Sequence, residues 1–179
     1  VFGMLRTAMG TQQSPPNMVI ISLALFMTIF IMSPVWNKVK TDALDPYNKG
    51  KITQDVAIKK ALDPLRNFMF AQAVDKDLAL FAEFAGINLK KVKSRDDIPT
   101  YVLIPAFMIS ELKRAFMISF VIFLPFVLID LLVSNILLSL GMMMLSPVMI
   151  SLPFKILFFV LVDGFNVISR GLMQSYMHG

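Results

Sequence analysis

Three ionisable side chains stand alone in a long uncharged stretch: Asp130, Lys155 and Asp163 are the only charges between Ala115 and Ser169. A charge in an apolar setting is costly unless it is paired or does a task such as moving protons. We read the set as structural, with Lys155 answering one of the two aspartates between helices or between subunits. The alternative is a proton path of the kind a secondary transporter uses. Just upstream, Glu111, Lys113 and Arg114 interrupt another apolar run; such a cluster is expected at a helix end or a subunit contact. A third group carries no charge. In "GMMMLSP" the chain places Met142, Met143 and Met144 in a row between Gly141 and Pro147. Methionine has three rotatable bonds and a polarizable sulfur, so it fills irregular gaps and repacks at little cost. Gly141 frees the backbone and Pro147 stops the following turn. The plainer alternative is that these methionines only pack.

Catalysis has little to build on. The single histidine, His178, lies one residue from the end of the sequence, and there is no cysteine. Ser-His-Asp chemistry, a His- or Cys-based metal site and thiol nucleophiles therefore lack their residues. Neither GxxxxGK[ST] nor GxGxxG occurs. No enzyme, cofactor or metal is expected. The net charge of +5 comes from mixed signs rather than from a one-signed patch, which argues against nucleic acid as a partner.

These residues sit in a chain whose polarity is strongly segregated. Mean hydropathy is +0.70. Of 17 Lys and Arg and 12 Asp and Glu, 21 fall between Lys38 and Asp97. We divide the chain into an opening segment with a hydrophobic helix (1–37), a charged helical middle (38–97) and a hydrophobic part of helical hairpins with the Met-rich loop (98–179). The prolines of "GTQQSPPN" place a helix start near Pro15 or Pro16, and Pro34 is expected to end it, with Trp36 as an interfacial anchor. Asp45-Pro46 reads as a turn. Thr53, Asp63 with Pro64, and Asp75 read as three helix starts, the last helix ending at Gly86. "NLKKVKSRDD" reads as a solvated connector, with contact to an acidic partner or lipid surface as the alternative. Beyond Asp97, the runs are interrupted by Pro105, Pro125, Pro147 and Pro153. We expect short, bent or paired helices rather than straight spans, with turns around Gly141 and Pro153. So large an apolar fraction implies obligate assembly. The fold class is all-α and membrane-associated. An internal repeat, which a broken-helix transporter would show, is not evident.

Three blocks, "GTQQSPPN", "LIPAFMISELKRAFMISFVIFLPFVLIDLLV" and "GMMMLSPVMISLPFKILFFVLVDGF", resemble the FliP/SctR family of type III secretion export-apparatus proteins. The first block and the "GMMMLSP" loop look more like its flagellar branch than its injectisome counterpart. Relative to that family, the chain is expected to be a fragment without the signal peptide and first hydrophobic segment. The resemblance implies a core subunit of the flagellar type III export gate in the bacterial inner membrane and flagellar basal body, largely at the periplasmic level. Further copies would assemble with FliQ and FliR into a helical hetero-oligomeric funnel, joined by FlhB and seated above FlhA. Unfolded flagellar subunits would be the cargo. The same resemblance puts the loop from Gly141 to Met144 at the constriction and the charged middle in the periplasm.

Overall fold

Pro15 and Pro16 set where the first long helix begins. Lacking amide hydrogens, they are accommodated most cheaply ahead of or within a first turn, and the helix starts at Asn17. The computed structural model describes residues 1–179 except 12, 90, 91, 93, 178 and 179. Lys90, Lys91 and Lys93 of the connector, and His178, thus lie outside the described residues. Among the described residues, every regular element is helical. A short helix, Phe2–Ala8 (α1), precedes Asn17–Val39 (α2), a π-helical turn at Lys40–Leu44, and Asp45–Asn48 (α3). Then come Gln54–Gln72 (α4), Asp75–Phe84 (α5), a 3-10 turn at Arg95–Asp97, Thr100–Ser139 (α6), Pro147–Leu161 (α7) and Gly164–Met177 (α8).

The prolines behave differently from expectation. Pro34 does not end α2 but lies inside it. Asp45-Pro46 is no turn: it continues the helical path into α3, and the chain turns at Gly50. Pro64 lies within a single α4 instead of dividing two helices. Pro105 and Pro125 lie within the 40-residue α6. Pro153 lies within α7, and the second break falls at Val162 and Asp163, where α7 and α8 meet at 60°. The expectation of short helices is thereby corrected. Alpha-helices α2 and α6 are both long and apolar enough to cross a membrane, the first as the continuous stretch Asn17–Asn48. A proline removes one hydrogen bond and crowds one carbonyl, but the ladder on either side persists, and in apolar surroundings no water competes for the freed group.

The chain forms two compact units. Val1–Met27 and the segment from Ala115 onward make the first. Its core gathers Phe2 and Leu5 of α1, Met9 just beyond it, Phe126 of α6, Phe159 of α7 and Ile168 of α8, with Ile20 and Leu23 of α2 against them. Aromatic edges meet faces here. Phe126 and Phe158 lie 6.2 Å apart at 90°, and Phe159 and Phe165 lie 4.9 Å apart at 85°, the arrangement the ring quadrupole favours. The pairing of Phe126 with both Phe158 and Phe159 makes α6 and α7 an antiparallel hairpin. At the head of α8, a Cβ on Gly164 would lie 2.0 Å from the Phe159 ring, so only glycine admits this close approach.

Thr28–Arg114 make the second unit. Ala82, Ile98 and Val102 form its core, with Phe70, Leu78 and Phe81 packed against them. Arg66 clamps the end of the connector: it donates to the carbonyls of Arg95 at 3.1 Å and Ile98 at 2.8 Å and to Thr100 Oγ1 at 2.5 Å. Its guanidinium also lies over the Phe70 ring, 5.6 Å from the centroid, a cation–π contact. A planar fork suits this task where a lysine would not.

Replacing Gly164→Ala forces Phe159 from its rotamer and should destabilise the first unit by about 1–3 kcal/mol. Thermal unfolding in detergent, followed by near-ultraviolet aromatic circular dichroism, measures it. An unchanged midpoint would mean that the Phe159 contact is not close.

Candidate functional site

Spacing already aligns the groups that meet in the first unit. Ser151 and Lys155 are four apart on α7, and Phe126 and Asp130 are four apart on α6, so each pair shares a helix face. Lys155 is 2% exposed and is the largest of the fully buried side chains. Its Nζ donates to Asp130 Oδ2 at 2.6 Å and to the Ala8 carbonyl at 3.4 Å. Ser151 Oγ lies 2.5 Å from Asp130 Oδ1 and 3.1 Å from the Val148 carbonyl oxygen. Both oxygens of Asp130 are thus engaged. The Ala8 carbonyl belongs to the last turn of α1, where unsatisfied carbonyls attract a cation. The cluster therefore ties together α1, α6 and α7. Asp130 keeps 30% of its side chain exposed, so the anion borders the surface while the cation does not.

Asp163 sits elsewhere. It occupies the break between α7 and α8 with φ +50, and its carboxylate accepts from Asn166 Nδ2 at 2.9 Å. Short-range bonding of this kind helps an aspartate hold the left-handed conformation. Ser151 and Ala8 were missed in the sequence reading. The i, i+4 relation of Ser151 to Lys155 was the available signal for the first; a backbone carbonyl leaves none.

The cluster of Glu111, Lys113 and Arg114 lies in the interior of α6, not at a helix end. In the second unit it holds the corner between α4 and α5. Arg114 donates to Gln72 Oε1 at 2.5 Å, to the Gln72 carbonyl at 3.2 Å and to Glu111 Oε1 at 2.7 Å. Lys113 pairs with the buried Asp77. Ser110 Oγ sits 2.8 Å from Asp77 Oδ2 and accepts from the Val74 amide at 2.9 Å. The Lys113 hydrogen bond, then that of Ser110, holds the Asp77 carboxyl below its ordinary pKa despite burial. Gln72, Asp77 and Ser110 carried no motif that would have singled them out.

The methionines stand at the apex of the α6–α7 hairpin. Gly141, at φ +72, closes α6: its amide bonds to the Leu138 carbonyl at 3.0 Å and that of Met142 to the Leu137 carbonyl at 2.9 Å. This is a Schellman ending, which needs a left-handed residue and favours glycine. Pro147 then opens α7 at its first positions instead of stopping a turn. Between them Met143 is 78% exposed and Met144 fully so.

Two outcomes follow from the charge clusters. Lys155→Ala or Asp130→Ala leaves its partner uncompensated and should destabilise the first unit by about 3–5 kcal/mol. The double replacement of both by alanine should cost less than the sum of the two single losses; additive losses in a thermal double-mutant cycle would refute the coupling. In the second unit, a depressed carboxyl stabilises above the ordinary carboxylate range near about pH 4 and loses that contribution as pH falls through its folded value. Asp77→Asn should therefore lower stability at neutral pH and flatten its decline below about pH 4, read from acid titration of unfolding midpoints.

Comparison with known proteins covers nearly the whole chain. The model of the FliP family matches residues 1–172. A flagellar biosynthetic protein FliP of Bacillus subtilis is 51% identical over 98% of this chain and 79% of its own length. The proteins of that name from Pectobacterium carotovorum and Agrobacterium fabrum are 47% and 45% identical, again over 98% of this chain, and over 67% and 71% of their own lengths. With agreement of this extent across both units, the chain belongs to the FliP family.

Proposed function

We propose that this chain is a wall subunit of the flagellar type III export gate, and that its α6–α7 loop, Gly141 to Met144, forms a deformable constriction. The observation that carries the proposal is the setting of the methionines. They project at the apex of a hairpin whose arms are held in register by the Asp130–Lys155 pair. A rigid stalk with a soft tip suits a seal: the arms fix where the tip stands, and the tip adapts to what touches it. Several copies would bring several tips together. Closed, they would exclude water and ions; opened, they would pass an unfolded polypeptide without charge selectivity.

The membrane-length helices supply the setting, since large exposed apolar faces demand lipid or protein cover. Further copies of the chain, FliQ and FliR would supply that cover in a helical funnel, joined by FlhB and seated above FlhA, with unfolded flagellar subunits as cargo. The complex would belong to the inner membrane and the basal body, with the charged middle in the periplasm. The relatives' names support the flagellar reading over the injectisome one. The Asp130–Lys155 contact supports a structural part for the pair over a proton path.

Replacing Met142, Met143 and Met144 together by alanine should leave assembly intact and make cells permeable to ions and small solutes. The test is conductance or dye uptake at matched expression. Unchanged permeability with an intact complex would sink the seal.

A further inference from the structure

Sulfur chemistry in this chain belongs to methionine alone: there are 14 methionines and no cysteine. Their settings differ sharply. Met9 is buried in the core of the first unit at 6% exposure, whereas Met143 and Met144 stand clear of the chain at the α6–α7 apex. Met18, Met117 and Met149 are exposed as well, but they lie within apolar helices whose faces demand lipid or protein cover. The apex is also poor in side-chain hydrogen-bond donors: from Gly141 to Pro147 the one polar side chain is that of Ser146.

We infer that Met142, Met143 and Met144 are a modification site, at which a peroxide converts thioether to sulfoxide and thereby opens the seal. The inference rests on the proposed placement of this loop at a constriction, where water, and a small uncharged oxidant with it, reaches the tips from at least one side. The sulfur lone pair attacks one oxygen of the peroxide. An S–O bond forms as the O–O bond breaks, and the proton of the new S–OH passes to the departing hydroxide, leaving sulfoxide and water. Sulfur loses two electrons and the peroxide gains them. A thioether is a weak acceptor that packs among its own kind, whereas a sulfoxide is polar. Closed tips would bury its oxygen where the segment offers a single side-chain donor, which is unfavourable, so water enters instead. The arms keep their register, because the Asp130–Lys155 pair that holds them contains no sulfur. Reduction of the sulfoxide restores the apolar tip.

The test uses the full-length protein in its natural assembly, reconstituted into planar bilayers, with hydrogen peroxide as the probe. Peptide mass spectrometry should find an added oxygen at the tip methionines roughly tenfold sooner than at buried Met9, which reacts only after local opening. Conductance should rise as the tip oxygens appear, toward that of the triple alanine variant. With Met142→Leu, Met143→Leu and Met144→Leu combined, the tip stays apolar but holds no sulfur, and peroxide should not raise the conductance, whatever its resting value. A rise equal to that of the wild type would trace the effect to other methionines and overturn the inference. If the triple leucine variant fails to assemble, Met144→Leu decides: the rise should shrink at equal peroxide exposure, and an undiminished rise overturns it. The alanine variant separates two failures. Alanine tips that leak while the oxidised wild type stays tight overturn the modification site and leave the seal standing; if neither leaks, the seal fails and this inference with it. Tips left unoxidised while Met9 reacts overturn it as well.

Discussion

An ammonium group only 2% exposed, set between Asp130 and the Ala8 carbonyl, constrains everything packed around it. Burying Lys155 there is costly unless an anion meets it, and it meets one because α6 lies antiparallel to α7 with Asp130 opposite. That single requirement sets the register of the hairpin. The Ala8 carbonyl at 3.4 Å brings in the end of α1, and the aromatic packing of Phe126 with Phe158 and Phe159 is possible only in the same register. A slip of one residue along either helix would turn the charged face away and leave the pair buried and unmet. A pair of this kind adds little net stability over an apolar replacement, yet it penalises wrong registers heavily. Specificity of the tip position is what it contributes.

The second unit uses polar groups in a different way. Its apolar core is small, and much of the fastening falls to side-chain bonds reaching across the sequence. Arg66 holds the connector, Arg114 holds the last turn of α4, and Asp77 with Ser110 and Lys113 holds the start of α5. Such bonds fix short helices that propensity alone would leave marginal, since an isolated helix of ten residues is too short to be stable in water. Lys113 and Arg114, which look like intrusions in an apolar run, are the points at which a charged segment and a hydrophobic helix share the same stretch of chain.

Much of this was legible in the sequence, for physical reasons. All-helical membrane character follows from apolar runs without alternation. The start of α2 follows from adjacent prolines, and the breaks at Gly86 and Gly141 follow from the left-handed geometry that favours glycine. Proline is a weaker helix breaker here than its missing donor suggests. At Pro34, Pro64, Pro105, Pro125 and Pro153 the helix continues, because one missing donor does not outweigh an intact ladder on both sides. The real second break, at Asp163, carried only the weak signal of an Asp-Gly pair.

Residue types and their spacing by themselves determined which groups needed partners: a lone lysine, two lone aspartates, a charged triplet in an apolar helix, and methionines between a glycine and a proline. Local chemistry suffices for that, since the cost of an unmet charge or the freedom of a backbone belongs to the residue. Only the tertiary structure decided which partners they found. Asp130 rather than Asp163 faces Lys155, Asp77 of α5 answers Lys113, and a carbonyl of α1 completes the shell of Lys155. Those choices depend on long-range register and on backbone atoms common to every residue, and for such contacts a sequence holds no distinguishing mark.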